Sequence, residues 1–329
     1  MAQRFINVLA VLAAFGLSGS LLAQTPAGQI KSLSHAIHAV GDLDTTLAFY
    51  RDVFGFEGRA QDFPNPAVPL LTNAPGVTLR MSMLGLPGGT RYELTHFKGP
   101  ERQPGQARYT DPGAASIVFY VRDIDALVAA AKRVNATIVT TGGAPVEIST
   151  PAGKARSIVM RDPDGFFVQL VERAPAADSP ETNVFAVSLA YTMEDADATR
   201  HFYTGMMGVP LEGSASFMRD AAYARLIGVA EDTEFRRLTG TLVPGTQVVF
   251  TEFRGMPRTK FHLRVRDPGA PAMAIEVTGI EPMLAQMVAA GVNVISADGK
   301  LVDFGNGVHN IFVEDPNGMN IELFERAPR

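Results

Sequence analysis

Apolar residues along this chain switch from one period to another, and the switch recurs four times. Leu33–Val40 alternates as a strand does. Asp42 then stands where a helix cap is wanted, and Leu43, Leu47, Tyr50 and Phe54 follow at helical spacing, with Gly55 placed to end the helix in a left-handed conformation. Val118–Val121, Asp123, and the face Ile124, Leu127, Val128 and Ala131 repeat the arrangement. Ile275–Val277 followed by Ile280, Leu284, Met287 and Val288, with Gly291 behind, is a third copy. The fourth begins at Val184–Tyr191 and runs through a helix around Arg200 to Met206. After each helix come three short apolar stretches separated by turn residues, such as Val77–Leu84, the Gly85-Leu86-Pro87-Gly88-Gly89 turn and Tyr92–Phe97. Each quarter therefore reads as βαβββ, and the fold class as α+β.

The quarters belong to a longer repeat. Arg161-Asp162-Pro163-Asp164-Gly165 followed by an apolar strand returns 153 positions later as Glu314-Asp315-Pro316-Asn317-Gly318. Phe49-Tyr50 with Gly55 returns at the same spacing as Phe202-Tyr203 with Gly208. Asp111-Pro112-Gly113-Ala114 returns 156 positions later as Asp267-Pro268-Gly269-Ala270. Three anchors in one order indicate a duplicated domain. The expected organisation is a leader and linker over 1–28, a first domain over 29–175, a linker over 176–182 and a second domain over 183–329.

Residues 1–28 are set apart from the fold. Arg4 supplies a basic start, Phe5 to Leu17 is apolar apart from Asn7, and Leu21-Leu22-Ala23-Gln24 offers a cleavage point after Ala23. The run is shorter than the ~20 residues of a spanning helix. The expectation is a cleaved signal peptide and an exported, periplasmic or secreted protein with no membrane anchorage after cleavage. No cysteine is present, so there is no disulfide framework and no thiol nucleophile. A net charge of −5 lacks the basic footprint of a nucleic-acid binder. No Gly-x-Ser-x-Gly elbow or phosphate loop occurs. Gly305 and Gly307 read as a hairpin turn.

The strand, the Asp-Leu-Asp cap, the Phe-Tyr-Arg-Asp-Val-Phe-Gly helix end and the closing Asp-Pro-Asp-Gly with its strand resemble the vicinal oxygen chelate (VOC) superfamily. That group includes glyoxalases, bleomycin-resistance proteins and extradiol dioxygenases, and the resemblance spans roughly residues 31 to 326. It implies two tandem glyoxalase-like domains, in which paired βαβββ units build curved sheets that hold a ligand on the concave face.

The resemblance also implies a divalent metal, Zn, Fe, Mn or Ni, held by the first and last strands of paired units. The first domain offers His35, Glu93, Ser116 in place of a histidine and Gln169 in place of a glutamate. That is a weak site, because a hydroxyl seldom ligates and an amide brings no charge. The second domain offers Ser188, Val249, Ala272 and Glu322, a set with one carboxylate and therefore no metal. Pairing of units between subunits, in a homodimer, would change both sets.

Strand alternation puts His35 and His38 on opposite faces, with His35 expected in the cup and His38 under the helix layer; a register slip of one residue would exchange them. His96, His201, His262 and His309 read as surface or capping residues, with His262 on a strand. The clustered methionines, Met81, Met83, Met206 and Met207, read as core packing. Two readings of function follow. One is a small-organic-molecule binding protein with a depleted metal site, its ligand held by Ser116, Gln169, Ser188 and Glu322. The other is a metal-dependent lyase, isomerase or dioxygenase using His35, Glu93 and Gln169 in the first cup. Without metal, His35, Glu93 and Tyr120 are candidates for acid–base catalysis.

Overall fold

The computed structural model describes residues 27–327, so most of the expected leader lies outside the described residues. The first unit comprises β1 (Gln29–Ala39), α1 (Leu43–Phe54), β2 (Gln61–Phe63), a short α2 (Val68–Leu71), β3 (Thr78–Gly85) and β4 (Arg91–Lys98). The second has β5 (Ala115–Val121), α3 (Ile124–Arg133), β6 (Thr137–Ile138), β7 (Val146–Thr150), β8 (Gly153–Arg161) and β9 (Phe167–Glu172). The third has β10 (Val184–Met193), α4 (Ala196–Arg200) running on as a π-helical turn over His201–Met206, β11 (Met218–Arg219), α5 (Ala221–Ile227), β12 (Glu234–Val243) and β13 (Thr246–Arg254). The fourth has β14 (Pro271–Thr278), α6 (Ile280–Ala289), β15 (Val302–Gly305), β16 (Val308–Glu314) and β17 (Asn320–Arg326).

The expected caps operate. Asp42 accepts from the Thr45 N–H at 2.7 Å and Asp123 from that of Ala126 at 2.9 Å, while Gly55 closes α1 at φ 73°. Helix α6 lacks a side chain at its own N-cap. The Glu325 carboxylate on the closing strand takes the Gly279 and Ile280 N–H groups instead, at 2.9 and 3.0 Å. His262 lies outside any strand, contrary to expectation.

The units pair differently from their order in the sequence. One sheet runs β15-β16-β17-β14-β1-β4-β3-β2 and joins the first unit to the fourth. The other runs β11-β12-β13-β10-β5-β9-β8-β6, with β7 beside β8, and joins the second unit to the third. The central seams are the antiparallel pairs β1–β14 and β10–β5. Each sheet curls into a cup whose inner face is packed with its own apolar cluster. Short helices plug the cups: Val68 and Leu71 of α2 in the outer pair of units, Leu226 and Ile227 of α5 in the inner pair.

The backs of both sheets and the longer helices share one continuous core, which includes Tyr50, Phe119, Tyr203 and Ile275. Within that layer the repeated motifs find their use. The Tyr50 hydroxyl donates to Asp162 Oδ2 at 3.1 Å, and Tyr203 donates to Asp315 Oδ2 at 3.1 Å. The other oxygen of each aspartate accepts two backbone N–H groups of its own turn. The Phe-Tyr and Asp-Pro motifs thus tie unit to unit within each repeat, while the cups are built across repeats. The Asp-Pro-Gly turns complete the junction. Gly269 sits at φ 95°, and a Cβ there would lie 2.3 Å from the Gly105 carbonyl oxygen.

Candidate metal centre and ligand cavity

Pairing of the first and fourth units redistributes the expected site residues. The first- and last-strand positions of the outer cup are His35, Glu93, Ala272 and Glu322; those of the inner cup are Ser116, Gln169, Ser188 and Val249. The expected grouping of His35 and Glu93 with Ser116, Gln169 and Tyr120 does not form, and Glu322 is no longer isolated. The physical reason is the seam: β1 pairs with β14 and β5 with β10, so each unit finds its partner in the other repeat.

A register shift between Leu33 and His35 sets His35 opposite Ala274, and Ala274 lies opposite Glu322 on the next strand. Glu93 lies opposite Ile37 on the other side of β1. One imidazole and two carboxylates are thereby brought onto the concave face. His35 Nε2 is 3.1 Å from Glu93 Oε2, and both side chains are largely buried. The far side of each group is held by a protein partner. His35 Nδ1 lies 3.0 Å from Ser34 Oγ, which itself accepts from Arg91 at 2.8 Å. Thr95 donates to Glu93 Oε1, and the Asn310 amide donates to Glu322 Oε1 at 2.7 Å.

The electrostatics of this cluster are those of a site short of positive charge. Burial pushes Glu322 up to about 7; His35 pulls against that shift and Glu93 adds to it. Burial would depress His35, but the hydrogen bond and charge of Glu93 outweigh it and the imidazole is raised. Burial would likewise raise Glu93, and the contact with His35 reverses it, so Glu93 is lowered. Both shifts favour the charged form of the His35–Glu93 pair, while burial holds the proton on the second carboxylate to near neutrality.

The donor set fits a divalent ion in kind: one imidazole and two carboxylates, each with an outer hydrogen bond fixing its orientation. Ser34 serves either tautomer of His35, since its oxygen accepts an Nδ1–H as readily as its hydroxyl donates to a bare Nδ1. Ala272, at the remaining position, is buried and supplies no donor. In the present geometry Glu322 is turned toward Asn310, and the three donors are not all within 4.8 Å of one another. Ligation needs Glu322 to swing away from Asn310, whose own amide oxygen is buried without a partner among the described residues.

His38, Asp162 and Asp164 do bring ligand atoms within 4.8 Å of one another. His38 is fully buried under the helix layer, as alternation from His35 predicts. Its Nδ1 lies 3.2 Å from Asp162 Oδ2. Both oxygens of Asp162 are occupied by its own turn, Tyr50 and His38, and both of Asp164 by the Gly41 N–H and the Thr46 hydroxyl. An ion there would displace bonds that fasten unit to unit, so the cluster reads as a structural network. His96 is partly buried, its Nδ1 without a partner among the described residues; His201, His262 and His309 are exposed.

The inner cup encloses a cavity of about 420 Å³. Ser116, Gln169 and Ser188 line it, as does Tyr120, whose hydroxyl is 3.3 Å from Ser188 Oγ. These four therefore share a site with one another, away from His35. Sequence reasoning missed Arg237 and Arg173, which also face this cavity. Arg237 lies outside the recurring motifs, while Arg173 recurs as Arg326 in the closing Glu-Arg-Ala-Pro of each repeat, a signal that sequence reasoning did not use.

Known proteins place this architecture. Glyoxalase I from Zea mays superposes with a TM-score of 0.59 at 20% identity, covering 89% of this chain and 92% of that one. A putative dioxygenase from Bacillus subtilis superposes with a TM-score of 0.55 at 15% identity, covering 93% and 87%. At such identities the likeness is one of fold. Virulence protein STM3117 of Salmonella typhimurium is 28% identical over 142 residues, 43% of this chain and 83% of that protein. The profile of the glyoxalase/bleomycin resistance protein/dioxygenase superfamily matches residues 32–170 and again 186–323. With both repeats matched, the chain belongs to that superfamily as a tandem, two-domain member.

Proposed function

We propose that the outer cup is a divalent-metal centre acting on a small organic substrate, with His35, Glu93 and Glu322 as the protein ligands. The observation that carries this reading is the seam between the first and fourth units, which adds Glu322 to His35 and Glu93. The depleted site expected from sequence-order pairing gives way to three ligand-type side chains. A bound ion would act as a Lewis acid on a substrate oxygen. The chain's own contribution is positioning. Ser34, Thr95 and Asn310 orient the three donors through their outer hydrogen bonds. The proposal extends to an exported protein, supported by the basic start, apolar run and small-residue cleavage point of residues 1–28.

Metal content of the mature protein, purified without chelator or affinity tag and measured by plasma mass spectrometry, tests the reading. We expect about one Zn, Fe, Mn or Ni ion per chain, lost in His35→Ala and in Glu322→Ala and retained in Asp164→Asn. Loss in Asp164→Asn with retention in His35→Ala would move the ion to the buried network. No uptake from any of the four ions would end the metalloenzyme reading and leave both cups as organic-ligand sites.

A further inference from the structure

We propose that the inner cup is a second, metal-independent site that binds small organic carboxylates with an aromatic or apolar body. The inference stands apart from the metal centre, because no residue of the outer cup lines this cavity. Its volume of about 420 Å³ falls in the usual range for small-molecule pockets. The positions that carry His35, Glu93 and Glu322 in the outer cup carry Ser188, Val249 and Gln169 here, and the fourth carries Ser116, so the floor of the cup is uncharged. Val118, Ile148, Phe167 and Val171 add apolar wall.

The charge comes from two arginines laid on aromatic rings. The Arg237 guanidinium lies 3.9 Å from the Tyr223 ring centroid and 4.7 Å from that of Phe235. The Arg173 guanidinium lies 3.6 Å from the Tyr120 centroid. Neither side chain has a carboxylate within 4.0 Å or a hydrogen-bond partner among the described residues, whereas nearby Arg236 and Arg254 are paired with Glu252 and Glu234. The one carboxylate on the wall, Asp220, is engaged in capping α5 through the Ala222 and Tyr223 N–H groups. The rings hold the guanidiniums by their faces and leave the N–H edges unused. Those edges match the two oxygens of a carboxylate, and the surrounding aromatic and aliphatic wall matches an apolar body attached to it.

Calorimetric titration of the full mature chain in EDTA tests this, using benzoate, 4-phenylbutyrate and indole-3-acetate, each beside its primary amide. At least one carboxylate should bind, with its amide weaker by about tenfold or more. Arg237→Gln should weaken that carboxylate by about tenfold or more, and so should Arg173→Gln. The latter alters an exposed side chain and keeps the test open should the former disturb the fold. Affinity should survive His35→Ala. Failure of every carboxylate to bind, equal affinity for acid and amide, indifference to both arginine substitutions, or loss of binding in His35→Ala would each overturn the proposal.

Discussion

Glu322 makes the stability of the metal-free protein depend on pH in a direction opposite to that of an ordinary salt-bridged carboxylate. Its folded pKa stands near 7 against 4.5 for the unfolded chain. Between those values the folded state holds a proton that the unfolded state has released, so stability is greatest below pH 4.5 and is lost as pH rises to 7. At about 1.4 kcal/mol per pKa unit the full loss is about 3 kcal/mol, an upper figure because the carboxylate is only partly shut off from water. His35, also raised, loses its contribution in the same direction from about pH 6.5 upward. Glu93, lowered, completes its gain below the window. Glu322→Gln imitates the protonated state at every pH and keeps an oxygen for Asn310. Urea denaturation in EDTA at pH 4.5 and pH 8 should find the variant and the parent nearly equal at the lower pH. At the higher pH the variant should be more stable by up to about 3 kcal/mol. A variant less stable than the parent at pH 8, or a gap that does not change with pH, would refute the reasoning.

Two further substitutions probe the frame around the cups. Asp162→Ala leaves His38, Tyr50 and two backbone N–H groups without their acceptor in a dry layer and should cost about 3–5 kcal/mol by thermal or urea unfolding, with Asp162→Asn clearly milder. Gly269→Ala combines a positive φ with a Cβ placed 2.3 Å from a carbonyl oxygen, and its melting temperature should fall by far more than that of Gly255→Ala. Gly255 shares the positive φ but would put its Cβ in open space, at a cost of about 1 kcal/mol.

Much of the fold was legible because its signals are local. Asp42 and Asp123 announce their helices by capping them, Gly55 ends one, and the Asp-Pro-Asp-Gly turn recurs because it binds its own backbone. Two periods of hydrophobicity locate strand and helix without reference to anything distant. Alternation alone set His35 and His38 on opposite faces; that His35 takes the cup was an expectation from the family resemblance. The composition of each cup was illegible for a matching reason. β1 has an equally apolar central strand available in β5 and in β14, and nothing local distinguishes them. The choice lies in how helices and sheet backs fill the shared core, and it decides whether Glu322 or Gln169 stands across from His35. The two arginines of the inner cavity were hidden for a different reason, since an arginine on a strand, as Arg237, or just past its end, as Arg173, ordinarily reads as a solvated residue.

The pairing of first unit with fourth, and second with third, nests one cup inside the other like brackets, and this has a consequence for synthesis. The inner bracket can close as soon as residue 254 or so has emerged. The outer one cannot: Lys31 meets Glu276, 245 positions later, only when the last quarter of the chain has been made. At the usual pace of translation β1 waits on the order of 10–50 s with one edge unpaired. An apolar strand edge left open for that long is an invitation to other chains. A chaperone that covers the first strand until the fourth unit arrives would therefore act on yield while leaving the stability of the finished protein untouched.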